Sequence, residues 1–264
     1  MSSPSIAAHY HLWRTLVTQD LAARYRGTLL GRAWPVLMPL VMLAVYGFVF
    51  GVVFRARWPG VAADDHVGFG LNLFAGLLVH GLLADTVGQA PGLLLRHSNF
   101  VRKMVFPLPV LVAVPVGSAL VHALIGLLLL TVVNAVAGSG LHASVLAAPV
   151  ILLPFLLMLY GLTLMFAALG VYVRDLGQII GVLVVLALFT GAVFFPREMV
   201  PARFAGIVDF NPITWPVGAL RDALLLGQWP APYGLLMYTA AALAVLALGW
   251  VCFGKLKRGF ADVL

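Results

Sequence analysis

The stretch DLAARYRGTLLGRAWPVLMPL, residues 20–40, changes from polar to apolar halfway along its length. Three arginines and a tyrosine lie before Trp34, whereas almost every residue after Trp34 and Pro35 is apolar. Tryptophan rings and long basic side chains are typical of the boundary between the headgroup layer and the hydrocarbon of a membrane. The stretch therefore predicts that the chain enters a membrane near residue 35.

The composition extends this prediction to most of the chain. Of the 264 residues, 62% are hydrophobic and 9% are charged, and the mean hydropathy is +1.06. Soluble domains carry about 25% charged residues, so a soluble fold of this composition could not cover its surface with polar groups. The bilayer is therefore expected to be the solvent for much of the chain.

The apolar residues fall into segments long enough to cross a bilayer, which takes about 20 residues of helix. The predicted spans are residues 35–54, 68–90, 107–137, 145–172, 178–195 and 232–253. Strands of a membrane barrel would alternate in polarity over about 10 residues, and these segments do not. We therefore predict an all-α integral membrane protein with six transmembrane helices, forming one transmembrane domain over residues 1–264.

The basic residues between the spans predict the orientation, because cytoplasmic loops are enriched in lysine and arginine. With the N-terminus inside, eleven basic residues lie on the inner side and five on the outer side. Both termini are therefore expected in the cytoplasm. The net charge of +7 is explained mainly by this topology, and basic residues scattered over short loops do not favour nucleic acid as a partner.

Residues 6–33 are predicted to form an amphipathic helix along the cytoplasmic headgroup layer. Trp13, Val17, Leu21 and Tyr25 recur every four residues, which places them on one helical face. Amphipathic helices with an apolar face and basic residues lie in the membrane interface. The segment is thus the predicted entry to the first span.

The basic residues of this helix have two interpretations. Asp20 and Arg24 are four residues apart and can form an ion pair. Arg24, Arg26 and Arg32 anchor the helix at anionic lipid headgroups, or they and Tyr25 contact the phosphate groups of a lipid-linked substrate. The sequence leaves both interpretations open.

Two loops between the spans also have distinctive patterns. Residues 91–106 are predicted to be a cytoplasmic loop with one short helix between helix-breaking prolines, suited to docking a soluble partner. Its candidate docking residues are Arg96, Asn99, Phe100, Arg102 and Lys103. A merely solvated connector is the alternative.

The outer segment, residues 196–231, is too apolar for a loop and too interrupted for a span. Ile213, Val217, Leu220 and Leu224 share one helical face. We predict two short re-entrant helices on the periplasmic side, before the last span. Irregular backbone at membrane depth must be covered by protein or line a wet cavity, which places this segment near the outer end of a pathway.

Aromatic residues concentrate at the outer halves of the first and fifth predicted spans. They are Tyr46, Phe48, Phe50, Phe189, Phe194 and Phe195. Aromatic faces are natural stacking surfaces for sugars, so these rings are candidates for lining a channel. Ordinary packing or lipid contact is the alternative.

The sequence offers little catalytic chemistry. His80, Asp85, His122 and Asn134 are scattered over different spans, so neither a proton relay nor a metal site is expected. GWVCFGKL, residues 249–256, fits the spacing of a phosphate-binding loop but has leucine where magnesium needs Ser or Thr. We expect no enzyme activity and no cofactor in this chain, so that any ATP and magnesium would be bound by a partner subunit.

Several motifs together resemble a known family. They are the opening over residues 20–35, VYGFVFGVVFRARWPG (45–60), NFVRKMVFPLPVLV (99–112), GVYVRDLGQII (170–180), NPITWPVGALRDALLLGQWP (211–230) and KRGFADVL (257–264). In order and spacing they are similar to the permease subunit of bacterial ABC exporters for O-antigen and related polysaccharides, relatives of the capsule and teichoic-acid permeases. One departure is Gln19, where relatives often have a basic residue before the aspartate.

The resemblance implies a homodimer bound to two copies of a nucleotide-binding ATPase subunit, in the bacterial inner membrane. It implies export of a polysaccharide linked to undecaprenyl pyrophosphate. The family's interfacial helix corresponds to residues 14–32, its coupling helix to 94–103 and its re-entrant helices to 201–226. A capsule or teichoic-acid exporter is an alternative. A secondary transporter is less favoured, because no inverted repeats or paired mid-membrane charges are evident.

Overall fold

The computed structural model describes residues 6–53, 58, 66–102 and 106–263, and all regular structure within these ranges is helical. The α-helices are, in chain order, α1 (Ile6–Tyr25), α2 (Trp34–Tyr46), α3 (His66–Val87), α4 (Ala90–Arg96), α5 (Ser98–Arg102), α6 (Leu108–Ala137), α7 (Ala148–Tyr172), α8 (Leu176–Thr190), α9 (Ala205–Asp209), α10 (Thr214–Leu225), α11 (Pro232–Leu256) and α12 (Phe260–Val263). Helix α2 continues as π-helical turns over Gly47–Val53, and short 3-10 turns cover Gly31–Ala33, Ala143–Ala147, Arg197–Met199, Ala202–Phe204 and Lys257–Gly259.

Six apolar helical segments lie where spans were predicted, but they differ in length. Within the described residues, four are long and apolar enough to cross a membrane: Val67–Arg96, Leu108–Ala137, Ala143–Tyr172 and Pro232–Gly259. The first and fifth are shorter, Trp34–Phe50 and Leu176–Thr190. The chain is therefore a helical protein with several candidate spans, and the count of six spans stays a prediction.

Helix α3 lies at the centre of the bundle, packed against α2, α6, α7, α8 and α10. Its Leu71, Leu73, Ala75 and Val79 are almost completely buried. A helix that is apolar on every side suits such a position, because each of its faces meets another helix.

Helices α7 and α11 approach each other closely through glycine. A methyl group added at Gly249 would lie 2.1 Å from the carbonyl oxygen of Gly161, and one added at Gly161 would lie 2.6 Å from the Cα of Leu246. Small residues allow membrane helices to pack backbone against backbone, where dispersion contacts replace the missing hydrophobic driving force. This contact fixes α11 on the bundle.

Helix α1 is shorter than predicted, ending at Tyr25 rather than continuing to residue 33. Gly27 and Gly31 have φ angles of 79° and 48°, in the left-handed region that ends a helix. Of the predicted apolar face, Trp13 and Val17 pack on Gly117 of α6 and Tyr25 contacts His122 of the same helix. The position of α1 in the headgroup layer stays a prediction.

The predicted loop over residues 91–106 also differs. It begins inside a helix, because α3 and α4 form one apolar stretch to Arg96 with a break at Gly88 and Gln89. Pro91 does not end a helix but stands in the first turn of α4, where its missing N–H costs no hydrogen bond. The single predicted short helix is therefore two helices, α4 and α5, and α4 is partly buried against α7.

The outer faces of several helices carry large exposed apolar side chains. Examples are Leu128 and Val132 on α6, Val182 and Leu186 on α8, and Leu236 on α11. In a soluble protein such faces would aggregate. In a membrane protein they contact lipid or another subunit, which agrees with the composition.

Candidate functional site

The first half of α1 is attached to α6 by close apolar contacts. A methyl group at Gly117 would lie 2.6 Å from the ring of Trp13 and 2.7 Å from Val17, so only glycine allows this approach. The indole N–H of Trp13 also donates to the carbonyl oxygen of Ala113 at 3.1 Å. Residues 13–17 therefore hold α1 firmly against α6.

The second half of α1 meets the bundle through polar groups. The hydroxyl of Tyr25 lies 2.8 Å from Nε2 of His122 on α6. Arg24 Nε donates to Asp20 Oδ2 at 3.2 Å, which confirms the predicted ion pair, and Arg24 Nη1 lies 3.9 Å from Asp85 Oδ2 on α3. We call Asp20, Arg24, Tyr25, Asp85 and His122 the inner polar cluster.

Protonation in this cluster follows from its geometry. Burial raises the pKa of Tyr25, so its hydroxyl is protonated and can donate to His122. Nδ1 of His122 lies 3.9 Å from Asp85 Oδ2. The neutral tautomer with its proton on Nδ1 suits both neighbours, since Nε2 then accepts from Tyr25 and the N–H faces the carboxylate.

Two cavities meet at His122. One, of about 550 Å³, lies between α2, α3 and α6 and reaches from Tyr46 to Asp85. The other, of about 480 Å³, lies between α1, α6 and Pro35 and is lined by Tyr25 and Arg26. The inner polar cluster therefore stands between two largely apolar spaces.

The predicted headgroup residues occupy different positions around this cluster. Arg24 and Tyr25 belong to it, and both already have partners in the chain. Arg26 is exposed and faces the second cavity. Arg32 lies in the 3-10 turn before α2, and its side chain is outside the described part of the structure.

Four of the six predicted channel aromatics form a continuous series of ring contacts. Phe50 connects the two predicted groups, with its ring centroid 6.4 Å from Tyr46 and 6.0 Å from Phe194. Phe194 in turn stacks on Phe189 at 5.5 Å. Phe48 lies outside this series, with 60% of its surface exposed.

Two aromatic rings that the sequence analysis did not select complete the series. Phe69 on α3 stacks on Phe50 at 6.1 Å, and Trp58 meets Phe69 edge-on at 5.9 Å. We call the six residues of this series, Tyr46, Phe50, Trp58, Phe69, Phe189 and Phe194, the aromatic series. The remaining candidate, Phe195, is half-buried, and in the described structure no ring contact is recorded for it.

A buried arginine lies at one end of the aromatic series. The guanidinium of Arg221 lies 4.4 Å from the ring centroid of Trp58. It donates to the carbonyl oxygens of Asn72, Ala192 and Val193 at 2.8, 2.7 and 2.6 Å. Burial lowers the pKa of Arg221 to about 9, which leaves the group charged at neutral pH.

The predicted face of α10 is confirmed, since Ile213, Val217, Leu220 and Leu224 are buried to 1% exposure or less. Last-turn carbonyls of a helix lack partners within it. Here Ser144, Asn134 and Ser139 donate to the carbonyl oxygens of residues 223, 224 and 225 at 2.6, 3.0 and 2.7 Å. The carbonyl groups at the end of α10 are thus satisfied by side chains from α6 and from the residues that follow it.

The candidate docking residues lie at the opposite end of the bundle. Arg96 and Asn99 are exposed at the end of α4 and in α5. Phe100 is partly exposed and packs on Phe106, with ring centroids 4.7 Å apart. The side chain of Arg102 and all of Lys103 lie outside the described residues.

No group of three metal-binding side chains lies together among the residues that the structure describes. Asp85 and His122 do lie close together, although they come from different predicted spans. A signal was available, because both are polar residues within long apolar segments. What the sequence lacked was the rotation of α3 relative to α6, which decides whether the two side chains meet.

Comparisons with known proteins agree with these features. The ABC-2 type transporter family matches residues 11–225. Two proteins of Klebsiella pneumoniae named O-antigen export system permease protein RfbA are 25% and 24% identical over 257 and 259 residues, covering 97% of this chain and 95% of each relative. A protein of that name from Myxococcus xanthus is 27% identical over 250 residues, covering 94% of this chain and 93% of the relative. With a match over most of its length and several membrane-type helices, the chain belongs to the ABC-2 type transporter membrane family.

Proposed function

We propose that this chain is the permease subunit of an ATP-driven exporter that moves a polysaccharide of the O-antigen type across the bacterial inner membrane. The functional transporter is a homodimer of this chain bound to two copies of a separate nucleotide-binding ATPase subunit. Both termini of the chain are cytoplasmic. The substrate is carried on undecaprenyl pyrophosphate. The names of the relatives support the substrate class, and the family supports an ATPase partner.

The observation that carries this proposal is the aromatic series. Its rings come from segments far apart in the chain, with centroids 5.5 to 6.4 Å from their neighbours. Sugars stack on flat apolar faces, and a chain that must move needs repeated weak sites rather than one strong site. Phe189 is exposed and Tyr46, Phe50 and Phe194 are half-buried, so these four rings offer a polysaccharide a line of such faces. The buried rings of Trp58 and Phe69 support them from the core.

The lipid end of the substrate is assigned to the opposite end. Arg26 faces the second cavity without a recorded carboxylate partner in the described part of the chain. Each basic residue near an anionic membrane surface contributes about 1 kcal/mol of attraction. Arg24, Arg26 and Arg32, with Tyr25, would thus attract a pyrophosphate headgroup. Anchoring of the helix at ordinary lipid headgroups is the alternative.

The force for transport comes from the ATPase subunit through α4 and α5. Arg96, Asn99 and Phe100 present a mixed polar and apolar surface. Arg102 and Lys103 follow them in the sequence and are assigned to the same docking surface. Because α4 is buried against α7 and α8, a displacement of α5 would reach the centre of the bundle directly.

Two alanine variants test the proposal in cells that depend on this chain for surface polysaccharide. Phe50→Ala removes the ring that joins both halves of the aromatic series and should lower export about two- to tenfold, because an aromatic pair contributes roughly 0.5–1.5 kcal/mol. Phe48→Ala, two residues earlier and outside the series, is the matched control and should leave export unchanged. Equal export by both variants, at equal membrane levels of protein, would contradict the proposal.

A further inference from the structure

The two attachments of α1 differ in strength. The one at Trp13 and Val17 is apolar and so close that Gly117 has no room for a side chain. The one at Arg24 and Tyr25 is polar and lies between two cavities. The firm end of α1 therefore fixes its position, whereas the polar end can separate from the bundle at lower cost.

Asp85 is held loosely within the inner polar cluster. Its Oδ2 atom lies 3.9 Å from both Arg24 and His122, which is beyond hydrogen-bond distance, and its side chain is 43% exposed. The shorter contact of Arg24 is with Asp20 on its own helix. Asp85 thus neutralises Arg24 across the gap between α1 and α3 without a direct hydrogen bond to it.

The chain after α1 can act as a joint. Gly27 and Gly31 both have positive φ angles, and an added methyl group at either would meet no atom within 4 Å. Glycine reaches these angles without steric cost. The end of α1 can therefore move while α2 stays in place.

We propose that Asp85 is an internal competitor for the substrate's phosphate groups. While the site is empty, Asp85 faces Arg24 and the end of α1 rests on α3 and α6. A phosphate-bearing lipid headgroup binds Arg24 and Arg26, and it replaces Asp85 as the anion that faces Arg24. The contact between Tyr25 and His122 then opens, and the two cavities become one entrance from the membrane.

This inference rests on the proposed function, because it uses the same arginines. It adds the prediction that removing Asp85 changes headgroup affinity in the opposite direction from removing an arginine. Loss of an arginine should weaken headgroup binding, whereas loss of the competing carboxylate should strengthen it. A merely structural role for Asp85 would weaken binding or leave it unchanged, so the sign of the effect separates the two roles.

The test uses the full chain in phosphatidylcholine discs, with undecaprenyl pyrophosphate as the probe and inorganic pyrophosphate as a second arm. Asp85→Asn should bind the lipid about two- to fivefold more tightly, as expected for removal of a partly exposed ion pair. Arg24→Gln should bind it about fivefold more weakly. Asp209→Asn, which removes a carboxylate paired with Arg197 elsewhere in the chain, should bind as the parent does. If inorganic pyrophosphate shows the same pattern, the phosphate alone is recognised; otherwise the lipid is also needed.

Unchanged or weaker lipid binding by Asp85→Asn would overturn the inference. If Arg24→Gln still weakened binding in that case, the headgroup site of the proposed function would stand. Absence of lipid binding by the parent chain would overturn the inference and the headgroup assignment together, while the export assay with Phe50→Ala would still decide the polysaccharide pathway.

A cross-link provides a second test that does not depend on affinity differences. In a Cys252→Ser background, Tyr25→Cys with His122→Cys can be joined by a bifunctional thiol reagent with a reducible spacer, because the two native side chains meet only at their tips and a direct disulfide would be too short. Cross-linking should then abolish tight binding of the lipid probe, and reduction of the spacer should restore it. Tight binding by the cross-linked form would show that α1 need not open.

Discussion

Arg221 joins three parts of the chain that are far apart in sequence. It reaches the carbonyl of Asn72 within α3 and those of Ala192 and Val193 just after α8. Ala192 has a φ angle of 49°, an unusual value for a residue with a side chain. The charge of Arg221 thus compensates buried carbonyl dipoles just after the end of α8, where a cation is favourable.

Replacement of Arg221 by methionine should destabilise the protein strongly. Arg221→Met leaves three buried carbonyl groups without their donor, and hydrogen bonds to charged groups are worth about 1.5–3 kcal/mol each before relaxation. We expect a loss of about 2–4 kcal/mol, measured by thermal unfolding in detergent. Arg203→Met, which removes an exposed arginine beside the ring of Phe204, is the control and should change stability by less than about 0.5 kcal/mol. Equal losses in the two variants would contradict a clamping role.

The sequence predicted some contacts between side chains and missed others. It predicted the pair of Asp20 and Arg24, because a spacing of four residues fixes their distance within one helix. It did not bring Asp85 to His122, because no local spacing fixes how two separate helices are rotated. Trp58 was missed as a partner of Arg221 for the same reason, since 163 positions separate them in the sequence.

Helices α7 and α11 form the most extensive helix pair of the described structure, and glycine makes their contact possible. Gly161→Val should separate them and destabilise the protein by about 1–3 kcal/mol, as overpacking does. Gly181→Val on α8 is the matched control, because an added side chain there meets no atom within 4 Å. The comparison is made by thermal unfolding, and equal melting temperatures would exclude a close α7–α11 contact.

The docking assignment of α5 predicts loss of coupling rather than loss of assembly. In the complex with the ATPase subunit, Phe100→Ala combined with Arg102→Gln should leave ATP hydrolysis but lower export severalfold. Arg174→Gln, an exposed change between α7 and α8, serves as the control. Normal export per ATP hydrolysed by the double variant would place docking elsewhere.

The positions of the helices could be predicted from the lengths of the apolar segments. The residues at which they end depend on local hydrogen bonds. The face of α10 was predicted correctly because a 3.6-residue period is visible in one sequence. The end of α1 at Tyr25 was missed, although Gly27 is a helix-ending residue, and Pro91 was wrongly taken as a breaker. Glycine and proline mark an end or a beginning according to the hydrogen bonds around them, which the sequence does not display.

Across the whole molecule, composition and length were sufficient to predict a helical membrane protein, and the family match confirms a transporter subunit. The number of spans did not follow as directly. The first and fifth apolar helices are short, Trp34–Phe50 and Leu176–Thr190, and both lead into the aromatic series. Their length is the reason that six spans stay a prediction, because length and composition support four in the described structure.

The most direct test of the account is reconstitution of the chain in proteoliposomes, with and without its nucleotide-binding partner, in the presence of undecaprenyl-pyrophosphate-linked polysaccharide. We predict that polysaccharide crosses the membrane only when the partner and ATP are both present, and that the chain alone hydrolyses no ATP. Transport by the chain alone, driven by an ion gradient, or ATP hydrolysis by the isolated chain would contradict the account.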